Sequence, residues 1–146
     1  MSAKRENVRV VLDTNVVISG LLWRGPSHRI LARVESGEVE SCATSAMLDE
    51  LREVLSRPKF RVTINRRQTS VDEMMAAVIA HVFLCEPIAI TPPRTLRDPD
   101  DAIILSCAAS AQATYITSGD DDLLSLGDFQ GIRIVSPSAF LSEMGE

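Results

Sequence analysis

Aromatic residues are scarce in this sequence, with one Trp, one Tyr and four Phe among 146 residues, so aliphatic packing must carry the core. No apolar run approaches the ~20 residues needed to cross a bilayer. The opening MSAKREN leads into an apolar strand without the long hydrophobic stretch of a secretory signal. A cytoplasmic globular protein with no membrane partner is expected. Cysteine is limited to Cys42, Cys85 and Cys107, odd in number, far apart and set in apolar surroundings. They read as reduced core residues, with neither a disulfide framework nor a zinc site. The two histidines, His28 and His81, sit in helical patterns away from the acids discussed below, so a Ser/His/Asp triad has no support. A glycine-rich phosphate loop is missing too. Positive charge is not in excess: the net charge is −5, which taken alone argues against a nucleic-acid partner. Its distribution argues otherwise. Setting aside Asp13, Glu50, Asp98, Asp100, Asp101, Asp120, Asp121 and Asp122, eight acids, turns −5 into +3. Local charge matters more than the total.

What the sequence does have is a pattern of strands alternating with helices. Val8 to Leu12 is an apolar run with little alternation, as in a strand buried on both faces, and it ends at Asp13. A short apolar helix over Val16 to Trp23 stops at Gly25-Pro26. Ser27 is placed to cap a second helix bearing Ile30, Leu31 and Val34 on one face, ended by Gly37. Val39 to Ala43 reads as a strand, and Thr44 or Ser45 opens a helix over Ala46 to Ser56. Pro58 to Arg67 is basic and weakly patterned. A helix follows from about Ser70 to Val82, then an apolar stretch from Phe83 to Cys85 and a proline-rich loop. Asp98-Pro99 opens a helix to about Gln112. Tyr115 to Thr117 is a strand, Asp120 to Leu126 a short helix, Ile132 to Val135 the last strand and Ser138 to Met144 a terminal helix. This alternation implies βαβ units and a mainly parallel sheet with helices on both faces, in one α/β domain.

Carboxylates fall at element starts or strand ends in four places, and each has an ordinary structural use. Asp13 or Thr14 can cap the helix after it. Asp98 suits an N-cap, with Pro99 in the first helical position and Asp100 and Asp101 complementing the helix dipole. Asp101, however, heads a ridge with Ile104, Leu105 and Ala108, so it points toward the sheet, where a carboxylate needs a cation or donors. Asp120, Asp121 and Asp122 repel one another at a helix start that needs only one cap. In the Ala46–Ser56 helix, at ~100° per residue, Met47, Leu48, Leu51, Val54 and Leu55 share a face that Glu50 flanks. Taken together, three of the four groups fall on one side of a parallel sheet, where ligands gather. Hard divalent cations prefer such oxygen-only sets.

Four segments in order, LDTNVVISGLL, ELREVL, RDPDDAIILSCA and YITSGDDDLL, resemble the PIN-domain ribonucleases. The likeness is greatest to the bacterial group of toxins from toxin–antitoxin systems, and it covers nearly the whole chain. It implies a compact three-layer α/β/α sandwich as a single domain over residues 1–146, with metal-dependent hydrolysis of RNA phosphodiesters. Under this resemblance the catalytic and metal-binding acids are Asp13, Glu50, Asp101 and Asp120, with Asp122 as a further metal ligand. Asn15, Ser118, Asp98 and Asp100 are supporting residues, and Ser118 stands where many members have threonine. The implied cofactor is Mg²⁺ or Mn²⁺. The implied partner is an antitoxin whose bound segment would block the acidic pocket.

For RNA contact, Arg57, Lys59, Arg61, Arg66 and Arg67 form the one acid-free basic stretch of that length, and Arg24, Arg94 and Arg97 are further candidates. The apolar pieces Val16 to Trp23 and Phe83 to Ile90 could serve a homodimer or antitoxin surface, with core packing as their simpler use. The competing readings are a PIN-like module that binds a cation or RNA without turnover, and an aspartyl-phosphate phosphatase. The latter wants a second Asp where Asn15 stands.

Overall fold

The computed structural model describes residues 8–146. Its first half runs β1 (Val8–Leu12), α1 (Thr14–Leu22), α2 (Pro26–Glu35), β2 (Val39–Ala43), α3 (Ser45–Leu55), a 3-10 turn at Pro58–Phe60, α4 (Arg61–Arg66) and α5 (Val71–Ala80). The second half comprises β3 (Val82–Leu84), α6 (Pro99–Ala111), β4 (Tyr115–Thr117), α7 (Asp121–Leu126), β5 (Asp128–Phe129), β6 (Ile132–Val135) and α8 (Pro137–Glu143). The strands form one sheet of order β3-β2-β1-β4-β6-β5. Every pairing is parallel except the short β5–β6 hairpin.

The non-alternating β1 sequence follows from its position. Val10 and Leu12 pack into one core with α1, α2, α3, α5 and α8, whereas Val11 packs into a second core with α6 and α7. The sheet is therefore covered on both sides, which gives the α/β/α layering and leaves β1 no solvated face. The chain moves outward from β1 through β2 to β3, then returns by α6 to lay β4 on the other flank of β1. That reversal opens a crevice at the carboxyl ends of β1 and β4.

Several local expectations are corrected. Ser27 does not cap α2; Gly25 takes the N-cap position with φ 143°, a conformation L side chains rarely adopt, and Pro26 begins the helix. The helix before β3 ends at Ala80, and Val82–Leu84 joins the sheet as an edge strand. The basic segment after Pro58 is helical, because Ile64 inserts into the core and anchors α4. Cys85 is only half-buried, so of the three thiols just Cys42 and Cys107 are core residues. The three thiols are free and fall within one another's electrostatic reach; Cys85 Sγ donates to the Phe83 carbonyl at 3.8 Å, and burial pushes both Cys42 and Cys107 up to about 12. Of the two apolar pieces proposed as surfaces, Val16, Val17, Ile18 and Leu22 are core residues, while Phe83, Leu84 and Ile88 are exposed. Among the described residues, no helix is long and apolar enough to cross a membrane.

Candidate active site

Asp13 is delivered to the crevice by β1, and its backbone is pinned there. Its N–H donates to the Thr117 carbonyl at 3.0 Å, and its own carbonyl accepts from Val16 and Val17 at 2.9 and 3.2 Å. Although it occupies the N-cap position of α1, its side chain makes no capping bond. The carboxylate instead accepts a 2.7 Å hydrogen bond from the Ser118 hydroxyl, at the end of the neighbouring strand β4. Ser118 in turn accepts from the Asp120 N–H at 2.9 Å. One hydroxyl thus ties the first acid to the backbone of the fourth. Helix capping alone does not account for Asp13.

Glu50 arrives from α3, half-buried at the rim of the core. Thr14, buried at the start of α1, donates its hydroxyl to Glu50 Oε2 at 3.2 Å. Sequence reasoning treated Thr14 only as a helix cap; its place beside Asp13 in Leu-Asp-Thr-Asn was the signal available. Asp98 caps α6 by accepting from the Asp100 N–H at 2.9 Å, and Asp120 caps α7 by accepting from Asp122 and Leu123 at 2.7 and 3.3 Å. These two acids do serve the ordinary structural use.

Asp101 does not. It is 4% exposed, and its Oδ2 is buried without a hydrogen-bond partner. Carboxylate oxygens of Asp101, Asp120 and Asp122 lie within 4.8 Å of one another. Burial pushes Asp101 up to about 6, and the charges of Asp120, Asp98, Asp13 and Asp122 add to it. Asp13 is raised mainly by burial, which the Ser118 hydroxyl and the Thr14 N–H only partly offset. Glu50 is raised by burial and then by Asp100, with Thr14 acting against them. Asp122 goes the other way. Arg97 grips it through two hydrogen bonds, Nε to Oδ2 at 3.2 Å and Nη2 to Oδ1 at 2.9 Å, holding its carboxyl below the usual range. Sequence analysis offered Arg97 as an RNA contact and missed this pairing.

A cleft of about 220 Å³ gathers Asp13, Asn15, Glu50, Asp98, Asp100, Asp101 and Asp120 over a floor that includes Val54, Phe60 and Ile104. Arg57 and Lys59 stand at its edge. Arg57 is also 3.8 Å from Glu53, and Lys59 Nζ lies 5.0 Å over the Phe60 ring. Arg61, Arg66 and Arg67 are exposed on or just after α4 and do not line this cleft. Asp121 is exposed at the start of α7, and Arg24 lines a separate groove.

Six carboxylates facing two cations in one cleft store repulsion, and a buried carboxylate oxygen without a donor adds an unmet electrostatic demand. An all-oxygen donor set of this kind fits a hard divalent cation and does not suit a soft one. The uncharacterized protein MJ1680 of Methanocaldococcus jannaschii is 27% identical over 148 aligned residues, covering 93% of this chain and 91% of that protein. A family model described as the PIN domain matches residues 9–122, a span that takes in every acid of the cleft. On that match the chain belongs to the PIN domain family.

Proposed function

We propose that this protein is a metal-dependent endoribonuclease that hydrolyses RNA phosphodiester bonds in the acidic cleft. The observation that carries this reading is Asp101: a buried carboxylate with one unpartnered oxygen, facing Asp120 and within the electrostatic reach of Asp13. Asp13, Glu50, Asp101 and Asp120 would hold Mg²⁺ or Mn²⁺, with Asp122 as an auxiliary. Such an ion supplies neutralisation of the phosphate charge and a more acidic water.

The chain's own groups prepare that site. Ser118 and Thr14 fix the carboxylates of Asp13 and Glu50 by hydroxyl donation, and helix capping fixes Asp120. These bonds set the donor geometry before any ligand arrives, so little reorganisation is needed on binding. Asn15, exposed at the cleft, offers an amide to the substrate. Arg57 and Lys59 take the phosphates flanking the scissile one, while Arg61, Arg66 and Arg67 extend the basic track along α4. Binding should then weaken steeply with salt. Among the described residues no histidine lines the cleft, and carboxylates are the proton-accepting side chains at hand.

The test is cleavage of a mixed pool of structured and single-stranded RNAs with Mg²⁺, Mn²⁺ or EDTA, comparing wild type with Asp13→Asn. Cleavage that needs metal and vanishes in the variant supports the assignment. Robust cleavage by a nuclease-free preparation of Asp13→Asn would overturn it, and metal binding without cleavage would favour a binding module. We propose further that the chain is the toxin of a toxin–antitoxin pair, on the resemblance of its four sequence segments to that group. Expression without a partner should then arrest growth, and Asp13→Asn should relieve the arrest.

A further inference from the structure

In a chain with so few aromatics, Tyr115, Phe129 and Phe140 are buried in the two cores, but Trp23 is 47% exposed. Trp23 meets Phe60 edge to face, with ring centroids 6.2 Å apart. Phe60 lines the acidic cleft. On its other side Trp23 lines a separate groove of about 200 Å³, together with Arg24, His28 and Ser138. The aromatic pair therefore stands between two concavities, one lined by acids and the other carrying a cation.

The ring position is fixed by the backbone. Trp23 ends α1, with its N–H bonded to the Ser19 carbonyl at 2.9 Å, and the chain turns directly through Gly25 at φ 143° into α2. His28 Nδ1 bonds the Gly20 carbonyl at 3.1 Å, tying the start of α2 back to α1 across the turn. Lys59 lies over the Phe60 ring, so positive charge flanks the pair on the cleft side and Arg24 flanks it on the groove side. Exposed aromatic area beside cations, next to a site for phosphates, is the arrangement that stacks unpaired bases while contacting their backbone.

We infer that Trp23, braced by Phe60, is a base-stacking platform: an unpaired nucleobase adjacent to the bond in the acidic cleft stacks on its ring, with the attached phosphate on Arg24. This rests on the ribonuclease reading but assigns a separate binding position, outside the carboxylates. A base locked in a duplex cannot leave its stack without cost, so the platform selects unpaired nucleotides next to the cleavage point.

Trp23 is the sole tryptophan, so intrinsic fluorescence reports this position alone. The experiment titrates the full-length Asp13→Asn chain, with Mn²⁺ present, against a short single-stranded oligoribonucleotide and against the same sequence as a blunt duplex. The single strand should quench the emission to saturation, and the duplex should not at equal concentration. Trp23→Ala should weaken single-strand binding by about fivefold to a hundredfold, measured with a dye-labelled strand, and Trp23→Phe should restore most of it. In the chain with Asp13 intact, Trp23→Ala should raise KM with little change in kcat. Unchanged emission at saturating strand, or wild-type affinity in a folded Trp23→Ala, would overturn the platform and leave this face to another partner. The two readings fail separately. Quenching without cleavage by the Asp13-containing enzyme removes the nuclease assignment, and metal-dependent cleavage indifferent to Trp23 removes the platform.

Discussion

The starts of α6 and α7 are nearly the same sentence written twice. Each has an aspartate at the N-cap, Asp98 or Asp120, and two acids in the first turn, and each cap accepts a backbone N–H two residues on. Their following acids end in opposite states. Asp101 is buried without a partner for one oxygen and is pushed up to about 6. Asp122, half-buried and gripped by Arg97, is held below the usual range. The cap rule accounts for what the two starts share; burial and one distant arginine account for what separates them. An acid that a neighbouring cation already satisfies is at most an auxiliary ligand. An acid that neither local geometry nor a cation explains is where a bound ion is expected.

The largest test removes the unsatisfied member. Asp101→Asn should bring RNA cleavage to background while the fold survives, since an amide fills the same volume and can donate. Asp122→Asn should leave measurable activity. Equal losses in initial-rate assays would erase the distinction.

The second test uses pH on metal-free protein. Between the unfolded value of 3.8 and about 6, folded Asp101 keeps a proton that the unfolded chain has lost. Stability therefore falls as pH rises through that window, by on the order of 2–3 kcal/mol for this group. The raised values of Asp13 and Glu50 act in the same direction. Asp122 opposes them: its contribution is present above the ordinary carboxylate range and disappears only as pH falls through its lowered folded value. Denaturant melts should show stability falling between about pH 4 and about pH 6.5, with a shallower slope in Asp101→Asn.

A third test converts one helix start toward the other. Arg97→Ala should return Asp122 upward, as read by carboxyl carbon NMR, and tighten Mn²⁺ binding severalfold by removing a competing cation. Because the pair is exposed on the arginine side, stability should change little. The smallest effect is expected from Ser118→Ala. Losing its bond should raise Asp13 further, moving the acid limb of the cleavage profile to higher pH, at a stability cost of about 1 kcal/mol.

Much of this was readable from the chain, because the relevant signals are local. The spacing of Asp101 with Ile104, Leu105 and Ala108 aimed it at the sheet, and it is buried there. The unalternating Val8–Leu12 marked a strand covered on both faces, and two cores flank it. What sequence reading missed depends on contacts between distant residues. Ser118 was placed at the site by resemblance, but not its reach to Asp13 across 105 positions, and Arg97 was not matched to Asp122 across 25. Thr14 was read as a cap because its partner, Glu50, comes from another helix. The basic stretch was visible as composition, yet only Arg57 and Lys59 line the cleft, since the turn at Pro58 and the burial of Ile64 set where the others face. The grouping of the thiols was invisible for the same reason: Cys42 in β2, Cys85 just after β3 and Cys107 in α6 join one core cluster only when α6 packs on the sheet.

The central claim is that the carboxylates of this cleft form one cation site, with the unpartnered Asp101 at its heart. Calorimetric titration of metal-free protein with Mn²⁺, wild type beside Asp101→Asn and Asp122→Asn, tests it directly. The account predicts saturable binding in wild type, loss of it in Asp101→Asn and only a modest weakening in Asp122→Asn. Undiminished binding in a folded Asp101→Asn would contradict it.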